Sequence, residues 1–115
     1  MADRNPSQVM LALTSEADQA KAEALALALL ERRLVACVSL QPQRALYHWH
    51  GQLESATEVQ LLLKTDARRL DDLAAAVHAL HSYATPEWLV WPAAASSSYA
   101  GWLAAELAPP DGRPA

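Results

Sequence analysis

The chain has 115 residues, 52% of them hydrophobic, and a formal net charge of -4 at pH 7. That size and apolar share suit one compact domain whose core needs no disulfide or metal staple. The acidic balance lacks the cationic excess that a phosphate backbone requires, and no run approaches the roughly 20 apolar residues that span a bilayer, so nucleic acid and membrane are both argued against as partners.

Met1 to Pro6 carries no apolar stretch of the kind that opens a secretory leader, and Cys37 is the single cysteine, so a reducing, cytoplasmic location is expected. Residues 1–7 and 108–115 read as flexible tails around a single domain over residues 8–107. Gln8 to Thr14 is a short apolar strand. Ser15-Glu-Ala-Asp18 has capping-box spacing and opens a long helix to Leu34, with Arg32 and Arg33 at the end that the helix dipole favours. From Val35 the sequence turns β-branched, Pro42 interrupts, and Arg44 to His50 alternates like a strand with two unlike faces. Gly51 reverses the chain, so Ser39 to Thr65 reads as a long hairpin bent near Pro42, with open edges suited to pairing.

Asp66 is the expected N-cap of a second helix over 67–81, whose buried stripe runs through Leu70, Leu73, Ala74 and Val77. Pro86 stops it. Glu87 to Pro92 is then a strand, Ala93 to Ser98 a flexible loop, and Tyr99 to Leu107 a short helix. Strand, helix, hairpin, helix, strand is the order of a ferredoxin-like α+β sandwich, a split βαβ arrangement with a long central β-hairpin, and the third helix is an addition to it.

The four histidines fall in two tight pairs. His78 and His81 share one helix face, a spacing compatible with chelation. His81 lies four residues beyond Val77 on the buried stripe, and His78 at its margin reads better as a structural histidine. His48 and His50, two apart on a strand, point to one face, where Glu54 could complete a copper or nickel site. A solvated hairpin tip is the simpler reading of the pair. Glu87, at the start of a strand expected to be buried, needs a donor or a cation. Tyr83 could bring a phenol to the same cluster or anchor the turn. Cys37 is either an inert small hydrophobe or a soft ligand for Cu(I). No Walker A run, dinucleotide fingerprint, HExxH or GxSxG is present, and the Thr14-Ser15-Glu16 passage offers neither the glycine nor the arginine of an acylphosphatase loop. A non-enzyme is expected.

Four segments in order, Arg33-Leu-Val-Ala-Cys37-Val, Tyr47-His-Trp49-His-Gly51, Leu61-Leu-Leu-Lys64-Thr65 and His81-Ser-Tyr83-Ala-Thr-Pro86-Glu87, make residues 8 to about 107 resemble the CutA divalent-cation tolerance family. The resemblance implies a ferredoxin-like protomer, a homotrimer in which neighbouring hairpins extend one another's sheets, and a non-catalytic role in tolerance of copper and other divalent metal ions. No cofactor is required for folding on this reading; copper or another divalent cation is the expected ligand. The alternative is a scaffold or sensor like the trimeric PII proteins, binding a small anionic ligand or a partner protein. Where the family commonly reads Trp-Glu-Gly-Lys and His-Pro-Tyr-Glu, this chain has Trp49-His50-Gly51-Gln52 and His81-Ser82-Tyr83-Ala84. Two acids are lost, which leaves His81, Tyr83 and Glu87 as what remains of a metal cluster built around the acid after the tyrosine. Cys37, His48 and His50 are the further metal candidates.

Overall fold

The computed structural model describes residues 7–107, and the expected tails otherwise lie outside those residues. Its elements are β1 (Ser7–Glu16), α1 (Gln19–Glu31), β2 (Cys37–Trp49), β3 (Gln52–Thr65), α2 (Leu70–Leu80), β4 (Leu89–Ala95) and α3 (Ser97–Glu106). One antiparallel sheet joins the strands in the order β2-β3-β1-β4. This is the expected α+β arrangement, with β2 and β4 outermost. Among the described residues no helix is long and apolar enough to cross a membrane.

β1 pairs on both sides, from Met10↔Thr65 to Glu16↔Val59 on one and from Ser7↔Ala95 to Leu13↔Leu89 on the other. Both ladders draw it beyond its expected ends. Ser15 and Glu16 therefore remain in the strand, and the capping box expected there does not form. The N-cap of α1 is Asp18 instead, whose Oδ1 accepts the Lys21 N–H at 2.8 Å. α1 also stops short of Leu34. Arg33 takes a left-handed φ of 55°, which turns Leu34 and Val35 into the core.

Opposed residues on paired strands share a face, and alternation along each strand separates the two faces. Ala12, Leu61 and Leu63 lie on the face covered by α1 and α2, where Ala22, Leu25, Leu29, Leu73 and Val77 complete the main core. Val9 is on the other face, packed with Leu103 and Leu107 beside Ala93, Ala95 and Ala100. α3 shields only this part of it. The alanines of the expected Ala93 to Ser98 loop are thus strand residues through Ala95, because their small side chains let α3 approach. α3 begins at once, its Tyr99 N–H bonded to the Ser96 hydroxyl at 3.3 Å.

α2 begins later than Asp66 suggested. The Asp66 carboxylate accepts the Arg68 N–H at 3.0 Å and pairs with its guanidinium at 2.9 Å, closing a turn before the helix. Its N-cap is Arg69, without a side-chain cap. The buried stripe is Leu73, Ala76 and Val77, with Leu70 and Ala74 at its margins.

The hairpin is the longest feature. β3 has 14 residues, and at about 3.3 Å per residue it spans most of the molecule's 52 Å length. Pairing runs from Cys37↔Lys64 to Trp49↔Gln52 with no residue skipped, so Pro42, opposite Val59, does not interrupt it. β2 is an edge strand, where a missing N–H is tolerated. Beyond Val59, β3 has outrun β1, and its distal half has no partner on that side.

Leu61 is fully buried in the central layer between Leu40 and Thr14. Leu61→Ala is expected to lower stability by about 2–5 kcal/mol, read from denaturant unfolding at fixed protein concentration.

Candidate functional site

Glu16 is the residue from which the site is built. It is 2% exposed, so its carboxylate needs donors from the protein. The segment after α2 supplies them: the Ser82 N–H donates to Oε2 at 3.0 Å and the Ser82 hydroxyl to Oε1, while the Ala17 N–H reaches Oε1 at 3.3 Å. The chain leaving α2 is thereby fastened to the end of β1.

His81 makes the second fastening. It is the C-cap of α2, its N–H bonded to the Val77 carbonyl at 2.9 Å, and its imidazole is fully enclosed. One ring nitrogen, Nε2, lies 2.7 Å from the Ser15 carbonyl, and the other, Nδ1, lies 3.0 Å from the Tyr83 N–H. A carbonyl only accepts and an amide N–H only donates, so Nε2 carries the proton and Nδ1 accepts. Glu16 Oε2 is 3.6 Å from Nδ1, beyond the hydrogen bond that Tyr83 already makes there. Both imidazole nitrogens are engaged, and an ion could reach Nδ1 only by displacing the Tyr83 amide.

Tyr83 is thereby aimed across the sheet end, where its hydroxyl donates to Glu58 Oε2 at 3.0 Å. Burial, then the hydrogen bond and the charge of Glu58, push its phenol up to about 12. Glu58 is 9% exposed, and its other oxygen has no hydrogen-bond partner among the described residues. Glu87 differs from expectation: it precedes β4 and is exposed. Its Oε1 accepts the Ser15 hydroxyl at 3.4 Å, so Ser15 joins Glu87 to His81.

Ser15, Glu58, Ser82, Tyr83 and Glu87 border a cleft of about 890 Å³ between the distal hairpin and residues 82–87. Tyr47 and Trp49 form its hairpin wall, Tyr83 and Pro86 the opposite wall, and Glu58 and Glu87 its carboxylates. The other candidates lie elsewhere. Cys37, half-buried at the root of the hairpin, is 3.8 Å from Lys64 Nζ. His48 and His50 are at the exposed tip. His50 belongs to the turn rather than the strand, with φ of 51° followed by 76° at Gly51, the pair of positive values typical of a two-residue type I′ turn. The alternation that would put His48 and His50 on one face therefore ends at Trp49, and the His50 ring stands edge-on to Trp49 at 4.9 Å. His78 Nδ1 donates locally to the Ala74 carbonyl at 2.8 Å, and its ring meets Trp88 edge-on at 6.0 Å. Among the described residues no three His, Cys, Asp or Glu side chains are grouped to hold an ion.

Sequence reasoning did not single out Glu16 or Glu58. Glu16 was hidden by the apparent capping box. Glu58 had a usable signal, a lone acid beside the apolar run Val59-Gln-Leu-Leu-Leu63, which is where a buried acid with a specific partner is expected.

An antiparallel α+β sandwich with a protruding hairpin and an acidic, aromatic cleft defines a ferredoxin-like class. The model of the CutA1 divalent ion tolerance protein family matches residues 10–106, and the chain belongs to that family. A divalent-cation tolerance protein CutA from Pectobacterium atrosepticum is 43% identical over 109 residues, 93% of this chain and 99% of the relative. The solved structure of CutA from Synechococcus elongatus has a TM-score of 0.86 at 37% identity, covering 90% of this chain and 94% of its own. That of the periplasmic divalent cation tolerance protein CutA from Archaeoglobus fulgidus has a TM-score of 0.81 at 28% identity, covering 87% and 98%.

His81→Ala leaves the Ser15 carbonyl and the Tyr83 N–H without partners and opens a void. A loss of roughly 2–4 kcal/mol is expected in denaturant unfolding, while the exposed His48→Ala stays within about 0.5 kcal/mol. Because the Tyr83 phenol is raised in the folded protein from an ordinary value of 10 to about 12, its contribution is complete below pH 10. Stability then falls as pH rises from 10 towards 12, since the unfolded chain gives up this proton first. Tyr83→Phe is expected to flatten that decline and to remove the phenolate absorbance step near pH 12.

Proposed function

We propose that the protein is a non-catalytic, metal-responsive homotrimer acting in tolerance of copper and other divalent cations. The observation that carries this reading is the family match over residues 10–106. The family is described by tolerance of ions and not by a reaction, which supports a role outside catalysis.

Assembly is supported by the sheet face that the helices leave bare. Leu11, Leu13 and Leu62 are only partly buried there, and Leu89 and Trp91 on the same face are 50% and 38% exposed. Neighbouring copies would cover this patch, which is contiguous and apolar. The open edges of β2, of β4 and of the distal half of β3 add unpaired backbone that strands from other copies would satisfy.

For the ion, the geometry favours the cleft carboxylates. Glu58 and Glu87, both lining the cleft with Tyr83, offer hard oxygen donors of the kind that suit a divalent cation keeping part of its water shell. His81 would act by holding Tyr83 in place, since both of its nitrogens are committed. His48 and His50 would be separate imidazole donors at the tip, and Cys37 a soft donor at the root. The cytosol is the compartment we propose, on the single cysteine. The periplasmic name of the Archaeoglobus relative makes cell fractionation the check on it. The reading of a small anionic ligand gains no support from the cleft, which no lysine, arginine or histidine among the described residues lines.

Titration of copper and zinc into tag-free protein by calorimetry, with mass measured by light scattering, tests the proposal. A trimer that binds ions more tightly than about 1 mM, and at least tenfold more weakly after Glu87→Ala, is expected. A monomer, or binding that Glu87→Ala, His48→Ala and Cys37→Ala all leave unchanged, would sink this assignment.

A further inference from the structure

The sequence of α3, Ser97-Ser-Tyr-Ala-Gly-Trp-Leu-Ala-Ala-Glu106, gives a helix with weak internal support. It runs for 10 residues, below the roughly 12–15 at which a helix holds together unaided. Gly101 sits in its middle, where glycine weakens a helix relative to alanine, and a Cβ there would meet nothing within 4 Å. Packing therefore does not call for glycine at this position. The rings of Tyr99 and Trp102 lie 5.7 Å apart, but both belong to α3. That contact travels with the helix and does not hold it down.

Docking rests on a core separate from the main one. Val9, Leu103 and Leu107 are the three residues buried in it, against 13 in the main core. Around them pack Ala36, Ala93, Ala95 and Ala100, each with little apolar surface to withdraw from water. The C-terminal end of α3 is tied by charge. Arg33, from the turn after α1, donates through Nη1 to the Glu106 carbonyl at 3.0 Å and pairs with the Glu106 carboxylate at 3.3 Å. Arg68, from the turn before α2, donates to the Ala104 carbonyl at 3.4 Å. Cations there complement the negative end of the helix dipole. The two arginine side chains are 59% and 47% exposed, so salt screens both ties.

From these observations we infer that α3 is a strap: it undocks as one unit while the sheet, α1 and α2 stay folded, and screening of its arginine ties favours release. Release turns Leu103 and Leu107 outward and uncovers Val9 and Ala93, a cross-strand pair one step along the same face from Leu11 and Trp91. The apolar face left bare by the helices is thereby lengthened, and ionic conditions set how often. The inference concerns a contact within one chain. It needs no free surface on the bare sheet face and no bound ion.

Amide-resolved hydrogen exchange tests it on the full chain in its native assembly, in about 0.1 M and about 1 M sodium chloride, between which the screening length falls from roughly 10 to 3 Å. Amides of α1 and α2 in the same sample are the internal reference. Those from Ala100 to Leu107 are expected to exchange together, at least about tenfold faster than those of Leu25 to Leu29 and Leu73 to Val77. At the higher salt they are expected to quicken a further two- to fivefold or about that, with the reference helices unchanged. Gly101→Ala, a change on an open surface, is expected to slow exchange in α3 alone by about fivefold. Arg33→Gln is expected to speed it and to remove part of the salt effect. Four results would each overturn the inference: exchange confined to the ends of α3, exchange no faster than the reference, as when a neighbouring copy clamps the helix, no response to salt, or Gly101→Ala slowing all three helices alike.

Discussion

A carboxylate removed from water must find hydrogen-bond donors, and Glu16 finds two of its three in a segment distant in sequence. The Ser82 amide and hydroxyl close on it, and His81 ties the same segment to the Ser15 carbonyl beside it. Without that attachment, nothing in the local sequence of residues 82–87 would fix its path, since it has neither helix nor strand pairing. With it, Tyr83 is delivered to Glu58 and Glu87 to Ser15. The cleft is therefore a by-product of satisfying one buried charge.

The two sheet faces divide the labour of the chain. One is sealed by α1 and α2 over leucines and alanines, and supplies the stability. The other is covered only where α3 meets Val9 and the alanines of β4, and it carries the bare apolar patch and the cleft. Placing Glu16 on the sealed side and Glu58 on the open side puts the structural acid at the end of β1 and the available acid beside it in the middle of β3, Glu16 lying opposite Val59.

The architecture was legible in the sequence because periodicity and turn residues report on local backbone preference. Gly51 marked the reversal, and the element order followed. What was not legible depended on contacts between distant residues. The Ser15-Glu-Ala-Asp18 run satisfies a capping pattern, yet pairing with β3 holds Ser15 and Glu16 in a strand. Ala93 to Ser98 has a loop's composition, but small residues are also what a closely packed helix requires against a strand. Similarly, the stripe that placed His81 towards the core was informative, whereas the role of its nitrogens depended on Ser15 and Tyr83, which no spacing rule connects. His50 shows the reverse failure, an alternation carried one residue too far into a turn.

The position of β1 at the middle of the sheet has a consequence for how the protein is made. The first of the described strands to be made is the one that needs partners on both sides, and those partners lie in Val59 to Thr65 and Leu89 to Ala95. The β2–β3 hairpin can zip as soon as it is synthesised, since its pairing is local. β1 must wait for almost the whole described chain, exposing an apolar run in the meantime. Its ladder with β4 closes the longest loop between paired strands, so the sheet is completed and Glu16 is buried by Ser82 only after β2, β3 and α2 have been made, when the cleft first comes into being.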